Sequence, residues 1–310
     1  MTRVLPPDER GLHLAAAILG DGGLVAFPTE TVYGLGANAC DGRAVAAIYE
    51  TKGRPTFNPL IVHLPSLEAA DEYAEVAGPL RDLAQAFWPG PLTLVAPRKP
   101  GPLSDLVTAG LTTLAVRVPA HGVAQAILSA FDGPVAAPSA NPSGRISPTT
   151  AQHVLAHLDG KIDAVVDAGP CQVGLESTII GMEDGAPVLL RPGGLPAEAA
   201  EQAIGAKLRV LRPGQVTAPG QLESHYAPVA PMRLNADGPE EGELWLGFGP
   251  DEHGGANLSE AGDLREAAAN LFGMLHRLDT GRPIAVATVP DIGVGQAIND
   301  RLRRAAAPRG

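Results

Sequence analysis

Hydrophobic residues recur along this chain in short runs that alternate with amphipathic stretches. Residues 8–20 carry an apolar stripe (Leu12, Ala15, Ala16, Leu19), with Asp8 placed to cap a helix and Gly20 and Gly22 to stop it. Residues 23–27 form a short apolar run that reads as a buried strand. A second helix runs from a cap at Asp41 to about Thr51, with Val45, Ile48 and Tyr49 inward, and ends at Lys52-Gly-Arg-Pro55. Strand patterns follow at 59–64, 92–95, 113–118, 134–139, 164–167, 177–180 and 187–191. Helical patterns follow a Ser66 cap, then recur at 79–87, at 122–130, from a Thr149 cap to about Leu158, and near 196–205; residues 98–112 read as loop. Short strands mixed with helices and turns predict an α/β fold built on an open sheet of mixed direction.

Residues 206–230 carry Pro213, Gly214, Pro219, Gly220 and Pro228 with little apolar periodicity, and read as a linker. Beyond it, strands at 243–248 and 283–287 alternate with an Ala-rich helix at 261–278 and a helix at 295–306. The expected division is therefore 1–205, a linker at 206–230, and a small α/β unit at 231–310. The length, 310 residues with 45% hydrophobic, suffices for one large core or two unequal ones. Aromatics are only 4%, so Leu, Val, Ala and Ile must fill those cores. A net charge of -11 argues against general nucleic-acid binding and leaves only a local basic patch for weak RNA contact. The basic tail Arg301, Arg303, Arg304 and Arg309 reads as a solvated helix end. Cys40 and Cys171 form no CxxC, which excludes a cysteine zinc site and suits two reduced thiols. The N-terminus does not read as a secretory signal, and no apolar run approaches a membrane span, so a soluble, cytoplasmic protein is expected.

The candidate chemistry begins at Phe27-Pro-Thr-Glu-Thr-Val-Tyr-Gly-Leu-Gly-Ala-Asn38, where a strand breaks into hydroxyls, a carboxylate and glycines. Alone, the stretch reads most simply as a tight strand-to-strand turn. Other strands add to it. His63 shares a face with Ile61; Thr113 and Arg117 share one face while Leu114, Val116 and Val118 take the other; Ser139 and Arg191 end their strands. Open α/β sheets bind ligands outside strand carboxyl ends. With Lys52-Gly-Arg54 nearby, these residues make a cationic, hydroxyl-rich site suited to a polyphosphate, which Arg forks grip bidentately. The loop 139–144 adds a backbone nest for anions. There is no GxxxxGK[ST], GxGxxG, HExxH or metal-ligand cluster, and spacing supports no Ser-His-Asp triad.

Further segments appear in order: Asn58-Pro-Leu60 with His63, Trp88-Pro-Gly-Pro-Leu-Thr93, Val116-Arg-Val-Pro119, Pro138-Ser-Ala-Asn-Pro-Ser-Gly144 with Ser147-Pro-Thr149, Gly174-Leu-Glu-Ser-Thr178 and Leu190-Arg-Pro-Gly193. With Phe27 to Gly36 and Lys52 to Pro55, this set resembles the YrdC/Sua5 family of threonylcarbamoyl-AMP synthases over the first two thirds of the chain. Ala218-Pro-Gly-Gln-Leu-Glu-Ser-His-Tyr-Ala-Pro228 resembles the SPGMxxxHYAP linker of the longer, Sua5-type members, with Ala218 for Ser and Gln221 for Met.

The resemblance implies a YrdC-like open twisted mixed sheet with flanking helices, plus a small Rossmann-like C-terminal Sua5 domain. It implies a nucleotidyltransferase that makes threonylcarbamoyl-AMP and pyrophosphate from L-threonine, bicarbonate and ATP. That product feeds a downstream tRNA threonylcarbamoyltransferase machinery acting on adenosine 37 of tRNAs that read ANN codons. It places Thr31, His63, Arg117, Ala137 and Ser177 around threonine. It places Arg54, Asn58, Thr113, Ser139, Ser147, Arg191 and Tyr226 around ATP, with Lys52 beside the phosphates and carbamate, Mg²⁺ carried by the nucleotide, and the linker with Tyr226 as a lid. Glu30 and Tyr33 receive no chemical step. A competing reading is a non-catalytic module for double-stranded RNA or a ribosomal partner, with Lys52, Arg54, Arg98, Lys99, Arg117 and Arg145 as a basic face. A carbamoyltransferase of the HypF type ranks low, since its CxxC pairs and acylphosphatase segment are missing.

Overall fold

A computed structural model describes residues 1–210, 218–220 and 224–308. Its first part runs β1 (Arg3–Leu5), α1 (Glu9–Gly20), β2 (Val25–Pro28), β3 (Tyr33–Asn38), α2 (Gly42–Lys52), β4 (Ile61–His63), α3 (Leu67–Tyr73), α4 (Pro79–Phe87), β5 (Leu92–Pro97), a 3-10 turn (Asp105–Thr108), β6 (Thr113–Arg117), α5 (Gly122–Phe131), β7 (Val135–Ala136), α6 (Ala151–Leu158), β8 (Ala164–Val166), β9 (Thr178–Glu183), β10 (Ala186–Arg191), α7 (Ala197–Ile204) and β11 (Arg209–Val210). The second part is β12 (Met232–Ala236), β13 (Leu244–Gly247), β14 (Ala256–Asn257), α8 (Leu264–Leu278), β15 (Ile284–Ala287) and α9 (Gly295–Ala306).

Local chemistry sets the helix starts. Asp8, Asp41 and Ser66 accept hydrogen bonds from first-turn amides, satisfying donors that the helix itself cannot. Thr150, not Thr149, caps α6, accepting from the His153 amide at 3.2 Å. Thr149 is drawn instead to the His153 ring, whose Nδ1 lies 3.3 Å from its amide. The two halves of the Phe27–Asn38 stretch pair as an antiparallel hairpin, β2 with β3, a second strand that the polar pattern concealed. Gly36 sits inside it because a Cβ there would stand 2.6 Å from the Phe27 ring.

Among the described residues, β1-β8-β2-β3-β7-β4-β6-β5-β9-β10-β11 form one mixed sheet. Alternation divides its residues. Leu60, Val62, Leu94, Leu114, Val116 and Ile180 enter a core with Val45, Ile48, Leu80 and Leu83 from α2 and α4. On the opposite face, Ile61, Val95, Ala115, Ile179, Val188, Leu190 and Ala218 form a smaller apolar floor. β11 pairs with β10, so the large sheet continues just past the expected boundary at 205. Of the expected linker, 211–217 and 221–223, including Gln221, lie outside the described residues.

The second part forms a parallel sheet, β12-β15-β13-β14, the Rossmann-like order of directions that the sequence resemblance implied. Its core of Leu271, Phe272, Leu275, Ile298 and Leu302 continues without a break into Tyr226 of the intervening segment and Val32, Ile146 and Leu175 of the first part. Gly174, at φ 72°, lets the two parts touch: a Cβ there would lie 2.5 Å from the Ala269 backbone of α8. His153 and His276 stack across the same junction at 3.9 Å. The helix end read as solvated is only partly so. Arg303 is exposed, but Arg301 is fully buried at this junction, and Arg309 lies outside the described residues. Among the described residues, no helix is long and apolar enough to cross a membrane.

Candidate active site

The pocket lies over the second face of the large sheet, above the apolar floor, rather than beyond the strand ends. In this mixed sheet β4 and β6 run together but antiparallel to β5 and β9, so their carboxyl ends lie at opposite edges and cannot make one crevice. Period two does the gathering instead. Ile61 and His63, Ala115 and Arg117, and Ser177 and Ile179 share this face, and β4, β6, β5, β9 and β10 lie side by side in register. The pocket wall combines Thr29, Thr31, Val32 and Gly34 from the hairpin with Arg54, His63, Arg117, Ala137 and Ser139. Glu176, Ser177, Arg191, Pro219, Gly220, His225 and Tyr226 complete it.

One half is a closed hydrogen-bond chain. Arg117 Nη1 donates to Thr31 Oγ1 at 2.9 Å, Thr31 to Thr29 Oγ1 at 2.7 Å, and Thr29 to the Val32 carbonyl at 2.7 Å. Arg117 Nη2 also donates to Glu30 Oε1 at 2.7 Å, which gives Glu30 a role as the partner of a buried guanidinium. Tyr33 turns away, donating its hydroxyl to the Gly169 carbonyl, with its pKa raised by burial. His63 is buried beside Arg117; burial first and that charge second push its pKa down to about 3, so the imidazole is neutral. Ser177 Oγ meets Thr93 Oγ1 at 2.7 Å. Ala137 adds an apolar side chain to the same wall.

The other half is cationic. Arg54 donates to the Asn58 and Pro59 carbonyls and to Asn58 Oδ1 at 2.7 Å, so Asn58 holds Arg54 from behind and does not line the pocket. Arg191 donates to the Ser177 and Pro219 carbonyls. Among the described residues, neither guanidinium has a carboxylate within ion-pair distance, although both are buried. Burial lowers the pKa of Arg54 to about 10 and that of Arg191 in the same direction. Lys52 stands behind the 139–141 loop, donating to the Ser139 carbonyl at 2.6 Å and to that of Asn141. Burial, then Arg54, drives its pKa well below the ordinary lysine value. Ser147 is buried against Glu176, to which it donates at 2.5 Å. Thr113 begins β6, about 13 Å along the strand from Arg117, and is not part of the pocket wall.

His63 Nδ1, His225 Nδ1 and the Tyr226 hydroxyl are buried and make no hydrogen bond among the described residues. All three residues line the pocket, so a bound ligand would satisfy them. The proposed basic face is not assembled. Lys52, Arg54 and Arg117 are buried, Arg98 pairs with Asp105, Lys99 binds the Asp71 carbonyl, and Arg145 lies 3.8 Å from Asp279. Glu176, His225 and Arg301 were given no role by sequence. Glu176 and His225 lay inside matched motifs. Arg301 shows only as a break in the Ile298, Leu302, Ala305 apolar stripe.

Fold and site together define a two-part α/β protein whose sheet carries a cleft for a small polar ligand beside an anionic one. A family model described as telomere recombination (Sua5, YciO, YrdC) matches residues 17–193, and one described as the threonylcarbamoyl-AMP synthase C-terminal domain matches 195–307. A threonylcarbamoyl-AMP synthase of Pyrococcus abyssi is 42% identical, covering 97% of this chain and 96% of its own, and one of Bacillus subtilis is 41% identical, covering 100% and 96%. A crystal structure of P. abyssi Sua5 complexed with L-threonine superposes at TM-score 0.90, with 39% identity over 99% of this chain and 97% of that one. The chain belongs to the Sua5-type threonylcarbamoyl-AMP synthase family.

Proposed function

We propose that the chain joins L-threonine, bicarbonate and ATP to give threonylcarbamoyl-AMP and pyrophosphate. The observation that carries this is the pairing, in one cleft, of a hydroxyl- and imidazole-lined pocket with two buried guanidiniums that have no carboxylate partner among the described residues. Bicarbonate takes up a proton and loses its hydroxyl as water to give CO2; threonine's amine adds to the CO2 carbon and loses a proton; a carbamate oxygen then attacks the α-phosphorus, and the bond to pyrophosphate breaks. Arg117 and Thr31 receive the amino acid's carboxylate and hydroxyl. Neutral His63 accepts a hydrogen bond from the amine or hydroxyl, and Ala137 and Ser177 close that subsite.

Arg54, Arg191 and Tyr226 face the nucleotide, supported by Asn58, Ser139, Ser147 and, at the far end of β6, Thr113. Charge grows on the α-phosphate and the leaving pyrophosphate, so fixed cations lower the barrier without a covalent intermediate. Lys52 holds the 139–141 loop whose backbone meets the phosphates. Mg²⁺ would arrive on the phosphates and supply charge neutralisation there. Pro219, Gly220, His225 and Tyr226 lie over the cleft and keep water from the labile product. The product would pass to a threonylcarbamoyl-transferring machinery acting on tRNA in the cytoplasm. The test is pyrophosphate release measured with each substrate omitted in turn: release must require both threonine and bicarbonate, and release indifferent to threonine refutes the proposal.

A further inference from the structure

Arg301 belongs to the last helix of the chain, yet its side chain has no exposed surface. Its Nε donates to Glu176 Oε2 at 2.8 Å, and its guanidinium lies 5.0 Å from the centre of the Tyr226 ring. The other oxygen of Glu176 accepts from Ser147. Asp300 braces the arrangement: it accepts from Arg301 Nη1 at 2.6 Å and from Arg304 Nε at 3.0 Å, while the Arg304 carbonyl accepts from the His225 amide at 3.2 Å. One turn of α9 therefore holds His225 by its backbone, Tyr226 by its ring and Glu176 by its carboxylate. Glu176 lines the cleft beside Arg191; Arg301 does not line it.

We propose that Arg301 is a positioning residue for the nucleotide half of the cleft, acting through Glu176, Ser147 and Tyr226. The proposal rests on the reading of Ser147, Tyr226 and Arg191 as nucleotide contacts. The physical reason is competition for a carboxylate. Glu176 is buried beside two guanidiniums, and Arg301 occupies it. Without Arg301, the ionised carboxylate keeps one neighbouring cation, Arg191, and turning to it removes the charge that would meet a phosphate. Tyr226 simultaneously loses the cation that packs on its face.

The test is steady-state kinetics and threonine calorimetry on the full chain. Arg301→Met should raise KM for ATP about tenfold or more, the worth of one charged hydrogen bond, with threonine Kd within twofold of the parent. Adding Glu176→Gln to Arg301→Met should recover part of the loss, because a neutral amide no longer recruits Arg191. Arg301→Lys should fall between parent and Met, and carries the test if the Met variant does not fold. Unchanged KM for ATP in both Arg301 variants overturns the proposal, and so does a parallel loss of threonine affinity, which marks a merely structural pair. Ser147→Ala and Tyr226→Phe separate the two readings. If they leave KM for ATP unchanged, the nucleotide assignment fails; if they raise it while Arg301 variants do not, only the role of Arg301 fails.

Discussion

Gly193 follows β10 and backs onto the segment that carries Glu176 and Ser177. A Cβ at this position would stand 2.4 Å from the Glu176 carbonyl oxygen, 2.4 Å from Ser177 C and 2.4 Å from Thr178 N. Ordinary contact begins at 3.4 Å, so Gly193→Ala requires a displacement of about 1 Å. All three atoms are backbone, and β9 is held between β5 and β10, so no side chain can swing away to absorb it. Overpacking of this kind costs about 1–3 kcal/mol of stability. The functional cost is larger, because Glu176 and Ser177 move relative to Arg191, and a misplacement of about 1 Å lowers turnover about 10²-fold. Urea denaturation and threonine-dependent pyrophosphate release measure the two effects. Gly101→Ala, with no atom within 4 Å of the new methyl group, serves as the silent control. A Gly193→Ala enzyme with parental urea midpoint and activity within threefold would refute the reasoning.

Arg54→Ala should lower turnover by about 10²-fold or more while near-ultraviolet circular dichroism stays parental; unchanged kcat/KM would remove Arg54 from the site. His63 and His276 both have pKa values near 3, the latter through burial first and His153 second, against an ordinary 6.5. Between those values the unfolded chain binds protons that the folded chain refuses, so stability holds above about pH 6.5 and falls as pH drops towards 3. Urea midpoints should follow that slope, and His276→Asn should flatten part of it; a midpoint constant from pH 7 to pH 4 contradicts the assignment. The proposal that Mg²⁺ arrives on the nucleotide requires EDTA to stop pyrophosphate release without moving the urea midpoint. A lowered midpoint would instead point to a metal held by the protein.

Much of the fold was legible because it rests on local rules. Asp8, Asp41 and Ser66 announce their helices, and the apolar runs at 92–95 and 164–167 could only be buried strands. Thr149 and Thr150 are equally good caps by type, and only the position of the His153 ring decides between them. β3 was hidden because Gly34 and Gly36, placed there for close packing against Phe27 and Ala137, mimic turn residues. The cleft residues could be collected from sequence, His63 and Arg117 by alternation within their own strands and Ser177 through the family resemblance. Their common location could not, because it depends on the register of strands far apart in the chain. Arg301 was least accessible: its partner Glu176 lies in the other half of the molecule, and nothing near it in sequence asks for a buried charge.

The continuous apolar junction between the two parts also bears on how a genetic screen would read this protein. Selection for lost activity would collect substitutions at Ala269, Phe272 and Arg301, in helices that supply no wall of the cleft, together with the cleft residues themselves. Mapped onto the linear sequence, such hits would suggest a second active centre near the C-terminus. Mapped onto the structure, they converge on one junction, Ala269 against Gly174 and both Phe272 and Arg301 against Tyr226.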